Sequence, residues 1–257
     1  MSIGNFQTRF VLIDTSHAGN VGAVARAMKV MGFNDLVLVN PRWANVLRRE
    51  ETIQRASGAL DVLAQAKIVA TLDEALEGMT HLCATAMTPR DFGPPTFTPR
   101  TYFETLAQEM SELETPKGLA LLFGSERFGM RNEDVYRCHA ALSIPTNPDF
   151  GSLNLGAAVQ VIAYEWRLAL DSTFAKSTIL HACANPAVLA DAQQVAGLLT
   201  HWQEALQAIG FLDPQAPKKL MPRLNQLTNR TRLTGDEVHI LRGVAKSILA
   251  TAERSKG

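Results

Sequence analysis

The chain has 257 residues, room for one large domain or for a medium domain with a smaller one. With 46% hydrophobic and 19% charged residues it can bury a sizeable core, which excludes a largely disordered chain. Lys+Arg and Asp+Glu balance at 25 each, so a nucleic-acid partner would have to be met by a local basic patch and not by a global field.

The first part of the sequence alternates strand and helix patterns. Phe10–Ile13 is a strand, and Val21, Val24, Ala25, Met28 and Met31 then recur at helical spacing. Asp35–Asn40 is a second strand that ends in an Asn-Pro turn. Lys67–Thr71, His81–Met87, Leu119–Gly124 and Ala141–Pro145 continue the series. Short apolar runs separated by helices imply an α/β fold, a parallel sheet covered on both faces. The stretch SLNLGAAVQVIAYEWRLAL is then apolar nearly all round until Glu165, and such a helix must be buried on more than one side, as a subunit interface would do.

Asp171–Pro186 shows no clear period and reads as a linker, which places a boundary near 172–187. The domains expected are therefore 1–171, a linker 172–187 and a small all-α domain 188–257. In the last of these Val188–Phe211 is one helix and Lys218–Leu233 a second, broken early by Pro222. The third opens on the capping box Thr234–Glu237 and carries an apolar stripe of Val238, Leu241, Val244, Ala245, Ile248 and Ala252. The cysteines, Cys83, Cys138 and Cys183, lack C-x-x-C spacing, so neither a disulfide framework nor a zinc knuckle is expected, and no metal. FVLI is too short for a signal-peptide core and no run approaches a membrane span, so the reading is a cytoplasmic protein without a membrane partner.

Three segments follow strands and carry polar groups. The first, DTSHAGNVGAVARAMKVMGF, holds Asn20, Gly22 and Arg26 as N-x-G-x-x-x-R. Asn20 suits a helix N-cap, and Gly19 and Gly22 allow close backbone approach. The segment is not G-x-G-x-x-G, and the chain has no G-x-x-x-x-G-K-[ST], which disfavours a nucleotide-triphosphate loop. Arg26 lies off the apolar stripe, and alone it reads as a solvated helix arginine. The second, LLFGSERFGMRNED, puts Ser125, Glu126 and Arg127 at the carboxyl edge of a strand, where open α/β sheets bind ligands. The third, IPTNPDFGSLNLGAA, is a stiff loop that leads Ser152 and Asn154 to a helix entrance, where free N–H groups collect, with simple capping by Ser152 as the plain reading.

Taken together, N-x-G-x-x-x-R, then L-x-x-G-x-E, then I-P…S-L-N before a long helix resembles the SpoU family of the SPOUT methyltransferases over about residues 8–170. The appended TNRTRLTGDEVHILRGV looks like the TrmJ type, which 2′-O-methylates the ribose at position 32 (C or U) of the tRNA anticodon loop. The resemblance implies a deep C-terminal trefoil knot, a homodimer, and S-adenosyl-L-methionine as cofactor. The cofactor would be held by Thr85, Ala86, Gly124, Ser125, Glu126, Ile144, Pro145, Ser152, Leu153, Asn154 and Gly156. The implied catalytic group is Arg26 with Asn20, Glu126, Ser152 and Asn154. Asn20 and Glu126 would orient Arg26 and the substrate, while Ser152 and Asn154 would shape the ribose and cofactor pocket. Arg26 would lie at the substrate ribose across a subunit interface, and the glycines of the first segment would leave room for RNA.

The family assigns proton acceptance to this arginine, but a guanidinium is effectively always protonated, and an electrostatic or phosphate-clamping role is physically safer. Gly156 stands where many members have a second hydroxyl, so no role is carried over for it. His17 beside the first segment is a candidate RNA contact, although a lone loop histidine is more often structural or solvated. From Val188 to Gly257 there are nine Lys+Arg against six Asp+Glu, and Lys218, Lys219, Arg223, Arg230 and Arg232 read as a tRNA-backbone contact or as a solvated helix face. The alternatives are a knotted RNA-binding protein without catalysis, a methyltransferase for another RNA ribose, and a Rossmann nucleotide enzyme. Against the last stand the missing G-x-G-x-x-G and Asn40, where an acidic residue would end the second strand.

Overall fold

The computed structural model describes residues 6–86, 88–111, 117–176 and 188–254. Seven strands form one sheet: β1 (Phe6–Ile13), β2 (Asp35–Val39), β3 (Lys67–Val69), β4 (His81–Thr85), β5 (Thr96–Phe97), β6 (Lys117–Phe123) and β7 (Ala140–Leu142). Their order is β3-β2-β1-β6-β4-β7-β5, and every pair is parallel. Besides a one-turn 3-10 helix at Val46–Arg48, ten α-helices accompany them among the described residues. They are α1 (Ala18–Val30), α2 (Glu50–Ala56), α3 (Leu60–Gln65), α4 (Leu72–Ala75), α5 (Pro99–Ser111), α6 (Asn132–Tyr136), α7 (Leu155–Lys176), α8 (Ala192–Ala208), α9 (Leu220–Thr231) and α10 (Gly235–Arg254).

Side chains alternate across the sheet, as the two-residue period of a strand requires. Phe10, Leu12, Leu36, Leu38, Leu119, Leu121 and Phe123 face one layer, made by α1, α2, α3, α5 and α7. Val11, Ile13, Val37, Val39, Ala120 and Leu122 face the other, closed by α4, α6 and the segments around them. Both faces are covered, which is why these strands are almost wholly apolar. At the centre of the first layer Trp166 of α7 is fully buried, packs at a tilt against Phe103 of α5 with 5.2 Å between ring centres, and donates its indole N–H to Thr8 Oγ1 of β1 at 2.9 Å. That hydrogen bond satisfies the one polar atom the ring carries into the core.

The chain closes β1, β2 and β3 first, then crosses over, and β6 returns to lie between β1 and β4. The direction of strand order therefore reverses around β6, the point in an open α/β sheet where the carboxyl-end loops splay apart and ligands bind. The loops after β1, β6, β4 and β7 end up side by side there.

Several expectations are revised. α7 runs through Lys176, so the boundary after 171 falls inside a helix, and the remaining linker residues 177–187, with Cys183, lie outside the described residues. Val188 and Leu189 are not helical: Leu189 bridges Thr234, and α8 starts at Ala192 behind a capping box from Asp191 and Gln194. Pro222 is the third residue of α9, in the first turn, where a missing N–H costs nothing, so it does not break the helix. β5, with two residues, was too short to signal itself. The Thr234 capping box is present, with Glu237 N donating to Thr234 Oγ1 at 3.2 Å and Thr234 N donating to Glu237 Oε2 at 2.7 Å. The C-terminal helices meet the sheet layer through Asn229, buried, whose amide donates to the carbonyls of Tyr136 and Cys138, each at 3.0 Å.

Trp166→Ala empties the centre of the α5–α7–β1 contact and orphans Thr8. It is expected to lower stability by about 3–5 kcal/mol, read as a lower midpoint of urea unfolding.

Candidate active site

α1 begins without a cap of its own. The residue before it is His17, whose side chain makes no capping hydrogen bond, and Asn20 is the third helical residue and not the cap. The free N–H groups of a helix start and its partial positive charge attract an anion. That anion is Glu126, delivered by the turn after β6. Its Oε2 accepts from Ser16 N at 2.9 Å and Ser16 Oγ at 2.8 Å, and its Oε1 accepts from His17 N at 3.3 Å and from Asn20 Nδ2 at 2.8 Å. Burial works against ionisation of Glu126, but the hydrogen bonds from Asn20 and Ser16 outweigh it and hold the carboxyl below its ordinary value of 4.5.

The network continues through Asn20. Its Oδ1 accepts from Asn154 Nδ2 at 2.9 Å, while Asn154 Oδ1 accepts from Gly156 N at 2.9 Å. Asn154 thus caps α7, in place of the expected Ser152, which is exposed on the loop before it. One chain of side chains, Glu126–Asn20–Asn154, therefore joins the turn after β6, the start of α1 and the start of α7.

Glycines in this region serve packing between elements. A Cβ on Gly22 would fall on the Thr52 carbonyl of α2, so the room expected there for RNA is already filled by protein. A Cβ on Gly156 would sit 2.8 Å from that of Ala23, so this glycine lets α7 start against α1. Gly124 has no room for a side chain because the Gly129–Met130 backbone folds back on it, closing the turn in which Ser125 and Gly129 exchange N–H···O bonds of 3.1 and 2.9 Å.

Arg26 lies one turn beyond Gly22, is exposed, and among the described residues has no hydrogen-bond or ion-pair partner. Asn20 and Glu126 do not touch it; they fix the helix that carries it. The cofactor candidates line the adjoining loops. Thr85 Oγ1 donates to the Leu122 carbonyl at 2.9 Å and Ala86 N to that of Leu142 at 3.1 Å, which straps the loop after β4 between its neighbours. Ile144 packs on the core, Pro145 follows it into the open, and Leu153 is 40% exposed.

The basic candidates separate. Lys219 Nζ lies 4.4 Å and Arg223 Cζ 6.0 Å from the centre of the Phe92 ring, Lys218 and Arg230 are exposed, and Arg232 is ion-paired with Glu109. Arg232 thereby holds the end of α9 against α5, a structural task. His17 is exposed. No group of three or more His, Cys, Asp or Glu side chains able to hold a metal occurs among the described residues, and none of their helices is long and apolar enough to cross a membrane.

This arrangement matches known proteins. Residues 7–164 fit the model of the SpoU rRNA Methylase family. The chain belongs to that family. Residues 193–257 fit the C-terminal domain of the tRNA methyltransferase TrmJ, which places the chain in the TrmJ branch of the SpoU family. It is 40% identical over 240 residues to the tRNA (cytidine/uridine/adenosine-2'-O-)-methyltransferase TrmJ of Pseudomonas aeruginosa, covering 92% of this chain and 91% of that one. To the tRNA (cytidine/uridine-2'-O-)-methyltransferase TrmJ of Escherichia coli K12 it is 41% identical over 241 residues, 93% and 94% of the two chains. The crystal structure of TrmJ from Z. mobilis ZM4 superposes with a TM-score of 0.76 at 30% identity, over 94% of this chain and 98% of that one. Membership makes the chain a methyltransferase, and Asn40, just after β2, donates its side-chain amide to Asp14 at 2.8 Å.

Reading the sequence alone missed Ser16, which supplies two of the four hydrogen bonds to Glu126. A serine just before a helix is a capping signal, but it serves here as a donor to a carboxylate 110 residues away. Because the folded-state value of Glu126 is lowered, its contribution to stability is complete above the ordinary value of 4.5 and is lost as pH falls through the lowered one. Glu126→Gln should therefore melt lower than the wild type at neutral pH, with the gap narrowing on acidification below pH 4.5, as followed by melting temperature against pH.

Proposed function

We propose that the chain is an S-adenosyl-L-methionine-dependent tRNA 2′-O-ribose methyltransferase acting on nucleotide 32, C or U, of the anticodon loop. The observation that carries this reading is the unpaired guanidinium of Arg26 on a helix whose start is locked to both neighbouring loops. A positioned cation without a carboxylate partner is what a developing alkoxide, or the phosphate beside it, calls for. The names of the TrmJ relatives support the tRNA ribose as substrate.

The loops after β4, β6 and β7 fit the cofactor: small Ala86 and Gly124, apolar Ile144 and Leu153, and backbone polar groups together suit an adenosine. When bound, the cofactor supplies the methyl group. The chain's own residues do the rest. A ribose hydroxyl is a weak nucleophile, so its proton has to leave as the bond forms, and positioning carries much of the rate. Glu126 is a poor candidate for the base, because its carboxylate is spent on four donors and its proton affinity is reduced. Arg26 supplies positive charge that steadies the ribose oxygen while its proton passes to solvent water. Asn20, held on one side by Glu126 and on the other by Asn154, is a positioning residue, and Ser152 is free to face the ribose pocket.

The active unit of this reading is a homodimer with a trefoil knot around the cofactor loops. Tyr164 and Leu168, 45% and 42% exposed, share one face of α7, and with Leu153, 40% exposed in the loop before it, they supply apolar surface for a second subunit. The helical domain 188–257, with Lys218, Lys219 and Arg223 at the entrance to α9, contacts the tRNA backbone.

The test is incubation of the full chain with S-adenosylmethionine and tRNA transcripts, followed by nucleoside and fragment mass spectrometry. A 2′-O-methyl group at nucleotide 32 is expected, and its absence from every tRNA would remove the reading. Arg26→Ala is expected to lower turnover on the order of 10²–10³-fold while retaining cofactor binding by calorimetry. Replacing Lys218, Lys219 and Arg223 by Ala should weaken tRNA binding and reduce the slope of log K against log salt by roughly 2–3, at about 0.7–0.9 per phosphate contact.

A further inference from the structure

The loop after β2, PRWANVLRR (Pro41–Arg49), contains three arginines and no acidic residue. Arg42 Cζ lies 4.9 Å and Arg49 Cζ 4.5 Å from the centre of the Trp43 ring. Trp43 is 38% exposed, and among the described residues neither Arg42, Arg48 nor Arg49 has a side-chain hydrogen bond or an ion pair. Two guanidiniums gathered on one indole repel each other, and a carboxylate would ordinarily stand between them. Glu50 and Glu51 follow Arg49 directly, yet neither forms an ion pair with it among the described residues, so the guanidiniums stay open to a ligand.

The loop is also rigid. Arg42 N donates to the Thr15 carbonyl at 2.9 Å, Val46 N to the Trp43 carbonyl at 3.0 Å, and Arg48 N to the Asn45 carbonyl at 2.9 Å. Val46 is buried, and its carbonyl accepts Thr52 Oγ1 at 2.6 Å, the same hydroxyl that lies 3.0 Å from the Ala18 carbonyl in the first turn of α1. Thr15 immediately precedes Ser16, the donor to Glu126. The cluster is thus bolted to the helix that carries Arg26, on the α2 side of it, and at the same carboxyl edge of the sheet.

We infer that Arg42, Trp43 and Arg49 form a stacking platform for single-stranded RNA flanking the target ribose. The indole and guanidinium planes take an unpaired base, and the guanidinium edges take its phosphates. Flat π-surfaces interleaved with unpaired cations are the chemistry that binds single-stranded nucleic acid, since every base has a face to stack and a phosphate beside it. The inference rests on the RNA methyltransferase reading of the Arg26 site and adds the element that holds the substrate strand there.

The test uses the full chain and an unmodified tRNA transcript. Trp43→Ala is expected to raise the KM for tRNA roughly tenfold with the KM for S-adenosylmethionine unmoved, and Trp43→Phe, which keeps a ring, to recover most of the loss. Arg42→Ala/Arg49→Ala should reduce the slope of log K against log salt by about 1.4, two contacts at about 0.7 each on a single strand. If the wild type methylates tRNA while Trp43→Ala keeps its tRNA KM and the double variant keeps its salt slope, the platform is wrong and the enzyme reading stands. If the wild type methylates no RNA, it is the enzyme reading that fails. Were Trp43→Ala to fold poorly, the salt slope of the double arginine variant still decides.

Discussion

One carboxylate holds the site together. α1 has no capping side chain from the residue before it, and Glu126, from the turn after β6, accepts from the N–H groups of Ser16 and His17 at the entrance to the helix. An ionised group at a helix start is stabilised by both the hydrogen bonds and the partial charge of the helix. The same contact fixes the distance between the turn after β6 and the helix that carries Arg26. An acid so fully engaged is a weak base, and Arg26 on the same helix has no ion-pair partner among the described residues.

The faces of α1 are allotted in a corresponding way. Gly22 lets α2 press against one side, and Ala23 meets Gly156 at the start of α7 on the next. The helical period leaves Arg26 on the strip between these contacts. Asn20 reaches across the same strip to Asn154, so the two helix starts move as one body. The glycines that look in sequence like space for a ligand are in fact space for neighbouring helices, and the strip that carries Arg26 is what they leave exposed.

The alternation of apolar runs and helical stripes made the α/β architecture and the parallel sheet legible, because strands buried on both faces can be little else. The order of strands was not legible. Nothing local to LALLF says that it lies between β1 and β4, and hence nothing local said that Glu126 would meet Ser16. The cap of α1 was misread for the same reason. Asn20 has good capping chemistry, but the acceptor at the start of α1 is Glu126, a tertiary partner, whereas at α7 the cap is local and falls on Asn154, two residues after Ser152. The three motif segments were recognisable as residues without their contacts. The cluster around Trp43 left no trace in a periodic reading, since a loop of arginines and one tryptophan has no period at all.

The placement of β6 has a consequence for how the chain is made. β1 pairs along Phe6–Leu12 with Lys117–Phe123, more than a hundred residues downstream, and until that strand arrives β1 is the open edge of a three-stranded sheet. Contacts of that separation are slow to form, and an apolar strand with its hydrogen-bonding edge bare invites pairing with other chains. During synthesis the α1 half exists before its cap does. The vulnerable interval ends when Lys117–Phe123 slots in, and the same insertion carries Glu126 to the start of α1, so closure of the bare β1 edge and the first link of the site network come together.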